Sequence, residues 1–510
     1  MRAPPLDRPP DTMTDAVPIT IVGGGFSGTS TAIQMLRRSR VPLAVTLVEP
    51  RAVVGPGLAY TSRDPDHRLN APTASHAVDP VDPGHLMRWC LAEGLFERDP
   101  QAMTGGGPAF IRRGDYGRYL AASLRQLADE PPAGCRVELV RARAIHASVG
   151  HDTYVTTTDT GRTLTSAMLI VATGNPPPRL PSSFDSALRG HPSLVAQPLQ
   201  DGALAGIDRQ ARVLVVGSSL TALDVISTLV RGGHSGGIVV VSRRGLRPRP
   251  QSPALDATAA AGDPAAALRP LDRILAPLPD FLSPGRSAPT TAGWLRSVRA
   301  RIREREADGQ SWHIAFDEAR DVVWRLWPLL PPAQQRRFLR SLRPWYDVHR
   351  FRAPPQNDAL VRGAEAEGRV EFRAARLHSV VGMPGGTLLR ARLRERGEAA
   401  DRDEVFGAVV NCTGLELGAG VTDEPFLSSL LAQGRLRMDG PGIGLSVDAN
   451  CRAFDARGEA QARLRVVGPP TAGTFGDPLG AVYIAAQIHR MLPDALATLA
   501  DAAASARAPA

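Results

Sequence analysis

The chain has 510 residues, 43% hydrophobic and 22% charged, an ordinary globular composition that makes about three folded units at roughly 150 residues each. Its net charge is +9, yet all 60 basic residues are arginine; without lysine there is no pyridoxal-phosphate Schiff base, no Walker phosphate loop and no lysine general base. The arginines are dispersed among 51 acidic residues, which argues against a nucleic-acid partner, and the four cysteines (Cys90, Cys135, Cys412, Cys451) form no C-x-x-C pair, which argues against a flavin-linked dithiol or a metal site.

Residues 1–16, rich in Pro and Asp, read as a disordered N-terminus with no secretion signal. No run of about 18 apolar residues follows, so a cytoplasmic protein with no membrane partner is expected. Residues 18–22 form an apolar run too short for a helix. The turn Gly23-Gly24-Gly25-Phe26-Ser27-Gly28 follows, then an amphipathic stretch through Ile33, Met35 and Leu36, then the apolar run 43–49. This is a βαβ unit with a G-x-G-x-x-G turn. Gly23 permits the tight turn, Gly25 lets backbone approach a diphosphate, and Gly28 lets helix and strand pack closely. The helix start, with Phe26 and Ser27 in its first turn, offers free N–H groups and partial positive charge to phosphate. Glu49 ends the next strand 21 positions after Gly28, where a carboxylate accepts from ribose hydroxyls and repels a 2′-phosphate. That suits FAD or NAD rather than NADP. Three short strands, 136–139, 153–156 and 169–172, then close the unit with the turn Thr173-Gly174.

A second βαβ unit starts with the strand 212–216 and continues with a helix over about 220–230 and the strand 238–242. Its turn, Gly217-Ser218-Ser219-Leu220-Thr221-Ala222, keeps the first glycine. Ser219 replaces the second, where its side chain either crowds a diphosphate or caps the helix and donates to phosphate. Arg243 and Arg244 follow the strand where the first unit has its acid. They are either planar donors for a 2′-phosphate, favouring NADPH, or solvated surface residues. The strands 369–372, 387–390 and 409–412, with the turn Thr413-Gly414, repeat the earlier set: both sets begin Arg-Val-Glu and end Thr-Gly. Two copies of one dinucleotide-binding design are expected, each closed by a three-strand meander.

Residues 251–355 change to helical periodicity and hold five of the six tryptophans, a helical insertion and a candidate wall for a water-poor pocket. At its end, His349 and Arg350 are either a proton-transfer histidine with a substrate-anchoring arginine or a structural junction. A late strand ends at Gly468. Asp477-Pro478 then reads as the cap and first residue of a helix over 478–491, which either aims its N-terminus at the flavin N1/C2 edge or is an ordinary capped surface helix. The expected division is an FAD-binding domain over 17–200 and 415–495, an NAD(P)-binding domain over 205–250 and 356–414, the insertion over 251–355, and a flexible tail over 496–510.

Residues 21–30, 55–60 (G-P-G-L-A-Y) with 67–70 (H-R-L-N), 113–119, 172–174, 217–224 with 242–245, and 349–354 (H-R-F-R-A-P) carry a family resemblance. Over about residues 17–490 the chain resembles the bacterial FAD/NAD(P)-binding protein family, which is similar to flavin-dependent monooxygenases and two-dinucleotide-domain reductases. The resemblance implies an α/β fold of two Rossmann-like dinucleotide-binding domains, each with a β-meander, plus the helical insertion. It implies FAD held by the first glycine loop, by Glu49 and by the 55–70 loop with Gly57 and Asn70. The expected function is an FAD-dependent oxidoreductase using NADPH, monooxygenase-like, acting on a small molecule. The alternatives are a flavin dehydrogenase or desaturase without NADPH use, and a non-catalytic FAD-binding partner protein.

Overall fold

The computed structural model describes residues 16–105, 107–150, 153–176, 178–251, 269–414, 418–477 and 480–507. The expectation for the N-terminus therefore falls outside the described residues up to position 15, as does the part of the insertion over 252–268.

The first unit runs β1 (Val17–Val22), α1 (Phe26–Arg38), β2 (Leu43–Val48), α2 (Arg113–Asp129), β3 (Arg136–Val140), β4 (Ala144–Val149), β5 (Tyr154–Thr158), β6 (Thr163–Ser166) and β7 (Met168–Val171). The second runs β8 (Leu194–Val195), β9 (Val213–Val216), α3 (Leu220–Arg231) and β10 (Ile238–Ser242). It continues through the insertion helices α4 (Thr291–Ala307), α5 (Trp312–Asp321) and α6 (Arg343–Arg350), then α7 (Pro355–Ala366), β11 (Val370–Gly382), β12 (Leu389–Glu395), β13 (Arg402–Phe406) and β14 (Ala408–Asn411). The chain ends with β15 (Arg452–Phe454), β16 (Ala460–Val466) and α8 (Ala481–Arg507).

Two large sheets result, ordered β15-β16-β7-β1-β2-β3 and β13-β12-β11-β10-β9-β14-β8, with β4-β5-β6 forming a small antiparallel sheet. In each large sheet the strand before the glycine turn is central and parallel to both neighbours: β1 lies between β2 and β7, β9 between β10 and β14. Their unbroken apolar runs follow from burial on both faces. The carboxyl ends of β1 and β9 are where the strand order reverses, the crevice in which open α/β sheets bind ligands.

The structure corrects four expectations. The three-strand sets do not stay together: β3 and β7 join the parallel sheet, and the meander β4–β6 lies between them. In the second unit one long strand serves both arrangements, β11 pairing parallel with β10 at its start and antiparallel with β12 at its end. Apolar runs reveal strands but not their partners. Second, Leu194 and Val195 pair with Val409 and Val410, so the second sheet begins before position 200, and Phe184 and Leu188 already pack in its core. Third, the described part of the tail is helical: α8 continues to Arg507, with Leu492, Ala495, Leu499 and Ala503 buried at helical spacing, while residues 508–510 lie outside the described ones. Fourth, α8 starts at Ala481 rather than 478, and residues 478–479 lie outside the described ones. Among the described residues no helix is long and apolar enough to cross a membrane.

Candidate dinucleotide sites

The first glycine turn is set by close backbone contacts. Gly23 has φ +107°, and a Cβ there would stand 2.3 Å from the Ala172 carbonyl oxygen; a Cβ on Gly28 would stand 1.9 Å from the Gly23 oxygen. Gly25, the N-cap of α1, faces Gly57, whose own φ is +58° and whose Cβ would come within 2.9 Å of the Gly25 Cα. The 55–57 loop is tied on by the Gly55 N–H, which donates to Gly24 O at 2.7 Å. Two side-chain-free backbones thus form a cradle at the start of α1, which has no acid in its first turn to compete for the N–H groups.

Glu49 stands where the sequence placed it, but its carboxylate is already engaged. Oε2 accepts from the Gly24 N–H at 2.9 Å, and Oε1 accepts from the Arg51 N–H at 3.1 Å and from Arg51 Nη1 at 2.8 Å. The acid braces the glycine loop and keeps lone pairs for a ribose. Arg51, which sequence reasoning passed over, is thereby placed at this site. Thr173 follows the carbonyl that closes the Gly23 turn, and its hydroxyl is buried with no partner. Gly174 has φ +75° with open space around it. The Asn70 carbonyl accepts from Gln251 Nε2 at 2.7 Å, joining the 55–70 loop to the second unit. Gly468, remote in sequence, is brought against the first turn: its Cβ would be 2.3 Å from Ser27 Oγ, and its N–H donates to Gln487 Oε1 at 2.9 Å. The bare cradle and the unpartnered Thr173 hydroxyl fit an extended diphosphate cofactor such as FAD.

The second turn repeats the first. Gly217 also has φ +107°, and its Cβ would lie 2.1 Å from the Cys412 carbonyl, the counterpart of Ala172. Ser219 is the N-cap of α3 in extended conformation, but its side chain makes no capping bond and is exposed, contrary to the capping expectation. Leu220 opens a helix with no acid in its first turn. Arg243 is exposed and Arg244 half-buried beyond the end of β10, and neither forms an ion pair within the described structure. The two units are joined by a buried ion pair, Arg113 Nη1 to Asp224 Oδ2 at 2.7 Å, and by Thr228 Oγ1 donating to Asp64 Oδ2 at 2.6 Å.

The structure also brings together two residues the sequence left apart. Arg350 at the end of α6 donates from Nε to Asp477 Oδ2 at 2.6 Å, and the Tyr346 hydroxyl donates to the same oxygen at 3.1 Å. Asp477 therefore faces the insertion, four positions before α8 begins at Ala481. His349 is held in an aromatic cluster, its Nδ1–H donating to Trp345 O at 2.7 Å and its ring stacked 5.7 Å from Phe316; burial lowers its pKa. His76, given no role from sequence, is buried beside Tyr116. Its Nδ1–H donates to Pro72 O at 3.0 Å, and burial, assisted by the Arg350 charge, pushes its pKa down to about 4. A lone histidine in a loop gives no sequence signal for this.

Residues 20–176 match the model of an FAD-NAD(P)-binding family, and residues 106–258 match that of L-lysine 6-monooxygenase/L-ornithine 5-monooxygenase. No curated protein matches the chain. The structure is similar to ornithine N-hydroxylase of Kutzneria sp. 744, with TM-score 0.62 and 14% identity over 96% of this chain and 99% of that one. It is similar to L-lysine 6-monooxygenase of Pseudomonas syringae, with TM-score 0.61 and 17% identity over 94% and 99%. Ornithine hydroxylase of Pseudomonas aeruginosa aligns with TM-score 0.59 and 15% identity over 95% and 100%. The fold and the matched segments define the class: a two-dinucleotide-domain FAD/NAD(P)-binding oxidoreductase. Within that class the chain follows the framework of the ornithine and lysine hydroxylases along nearly its whole length.

Proposed function

We propose that this chain is an FAD-dependent monooxygenase that draws electrons from NADPH and acts on a small amine-bearing molecule. The observation that carries the reading is the duplicated turn. Gly23 and Gly217 share φ +107° and the same blocked Cβ position against the carbonyl at the end of the neighbouring parallel strand, and each opens onto a helix start free of acids. One site suits FAD and the other a second dinucleotide. The matched family model, and the ornithine and lysine hydroxylases on whose framework the chain is built, support oxygenation of an amine.

When bound, FAD supplies the two-electron redox chemistry between NADPH, oxygen and substrate. The chain supplies position and electrostatics. The backbone of Gly23, Gly25, Phe26, Ser27 and Gly28 holds the diphosphate at the start of α1. Glu49 accepts from the ribose, and Gly57, Asn70, Thr173, Gly174, Gly468 and Asp477 line the remaining length. Gly217, Ser219 and Leu220 hold the second diphosphate, where the exposed Ser219 hydroxyl is free to donate to phosphate rather than crowd it. Arg243 and Arg244, without acid partners, neutralise a 2′-phosphate. The aromatic cluster of Trp312, Phe316, Phe338 and Tyr346 in the insertion keeps water from the reacting centre. The free cysteines go with a reducing compartment, and with NADPH as reductant the protein works in the cytoplasm.

Purified protein should carry bound FAD that NADPH bleaches without oxygen. In air, ornithine, lysine or a related diamine should raise NADPH consumption and yield a hydroxylamine. A colourless protein that takes up no FAD refutes the reading. A yellow protein bleached only by an organic metabolite replaces it with a dehydrogenase.

A further inference from the structure

Among the contacts that join the insertion to the C-terminal segment is one ion pair, Arg350 with Asp477. Arg350 and Asp477 are both buried, with side chains 7% and 3% exposed, yet they meet through one prong only, Nε to Oδ2. An arginine–carboxylate pair commonly engages both prongs. Here Arg350 Nη2 and Asp477 Oδ1 are buried and have no hydrogen-bond partner. An unmet buried donor or acceptor costs about 1–3 kcal/mol, and more when charged, so two on the same ion pair mark a place where a ligand completes the set. The rest of the pair is held. Tyr346 fixes Asp477 Oδ2, and the Tyr483 ring lies 4.9 Å from the Arg350 guanidinium. Position 480 is glycine, and a Cβ there would crowd Nη2 at 2.9 Å.

A donor beside an acceptor is complemented by a ligand edge with a carbonyl next to an N–H. The location narrows the choice. A Cβ added to Gly468 would meet Ser27 Oγ of the first glycine loop at 2.3 Å and Ile484 Cδ1 of α8 at 4.0 Å. Gly480, which Arg350 Nη2 approaches, is one helical turn before Ile484, so the pair stands one turn of chain from the residue that faces Gly468. His76, on the stretch following the 55–70 loop, is close enough for the Arg350 charge to help lower its pKa.

We propose that Arg350 and Asp477 read the pyrimidine edge of the flavin ring, Arg350 Nη2 donating to a ring carbonyl and Asp477 Oδ1 accepting from the ring N3–H. This rests on the FAD binding proposed above. It makes the insertion part of the cofactor site and gives it a hold on the redox potential: a guanidinium at the carbonyl edge stabilises the electron-rich reduced ring.

The test exchanges the bound cofactor of the full chain for 3-methyl-FAD, in which a methyl group replaces the N3 hydrogen. The unmodified protein should bind it at least about tenfold more weakly than FAD, the equivalent of one charge-assisted hydrogen bond. Asp477→Ala should lose that discrimination. Arg350→Gln should shift the flavin potential negative and move the ring carbonyl bands in the Raman spectrum. Should Asp477→Ala not fold, the comparison in the unmodified protein still decides. Equal affinity for the two cofactors, with potential and Raman bands unmoved in Arg350→Gln, overturns this assignment while leaving FAD binding intact. A chain that binds no FAD removes both readings.

Discussion

Gly28→Ala tests the geometry of the first loop with a single methyl group. In a helix interior this change usually stabilises by about 1 kcal/mol. At position 28 the added Cβ would stand 1.9 Å from the Gly23 carbonyl oxygen, where carbon and oxygen settle no closer than about 3.3 Å. Loop and helix must therefore part by more than an ångström. Overpacking of this kind costs about 1–3 kcal/mol, which outweighs the propensity gain. The displacement also moves the N–H groups that face the diphosphate. Losing two charge-assisted hydrogen bonds at about 1.5 kcal/mol each weakens FAD roughly a hundredfold. The control is Gly363→Ala in α7, also inside a helix but exposed and with no atom within 4 Å of its added Cβ; it should stabilise by about 0.5–1 kcal/mol. The assay is visible flavin absorbance per protein after gel filtration, together with thermal unfolding. A Gly28→Ala protein with full flavin content and a Tm at or above that of the unmodified chain would refute the reasoning.

Further outcomes follow from the same structure. Arg243→Ala should raise the KM for NADPH about tenfold while changing that for NADH little, since only NADPH carries the 2′-phosphate; steady-state kinetics with both cofactors checks it. Asp224→Asn leaves Arg113, 14% exposed, without its counter-charge at the junction of the two units. Removing one partner of a buried pair costs about 3 kcal/mol, so Tm should fall and KM for NADPH rise while FAD content stays near normal. His76 and His313 are both lowered to about 4 from 6.5, chiefly by burial. Between those values the unfolded chain binds their protons and the folded chain does not, so stability should fall as pH drops from 6.5 towards 4 and level off below. His76→Asn, which keeps a donor for the Pro72 carbonyl, should flatten that acid limb in thermal melts taken across pH.

Local chemistry was legible in the sequence wherever one short stretch fixes its own geometry. The turns at Gly23 and Gly217, the helices that follow and the acid at Glu49 are written in adjacent residues, because backbone sterics and apolar periodicity act over a few positions. Sequence also showed that the chain repeats one design, and placed a helical insertion over residues 251–355. Tertiary structure alone decided what meets what. The strands expected over 136–139 and 169–172 looked like members of one meander, yet their pairing partners lie in β2 and in β1 with β16. The Ala-rich end looked loose until the core of the first unit covered the stripe from Leu492 to Ala503. Asp477 looked like a helix cap, and only the fold could bring Arg350 across to it. Patterns along a chain report which face of an element is apolar, whereas the identity of the partner is set by packing between segments that sequence spacing does not connect.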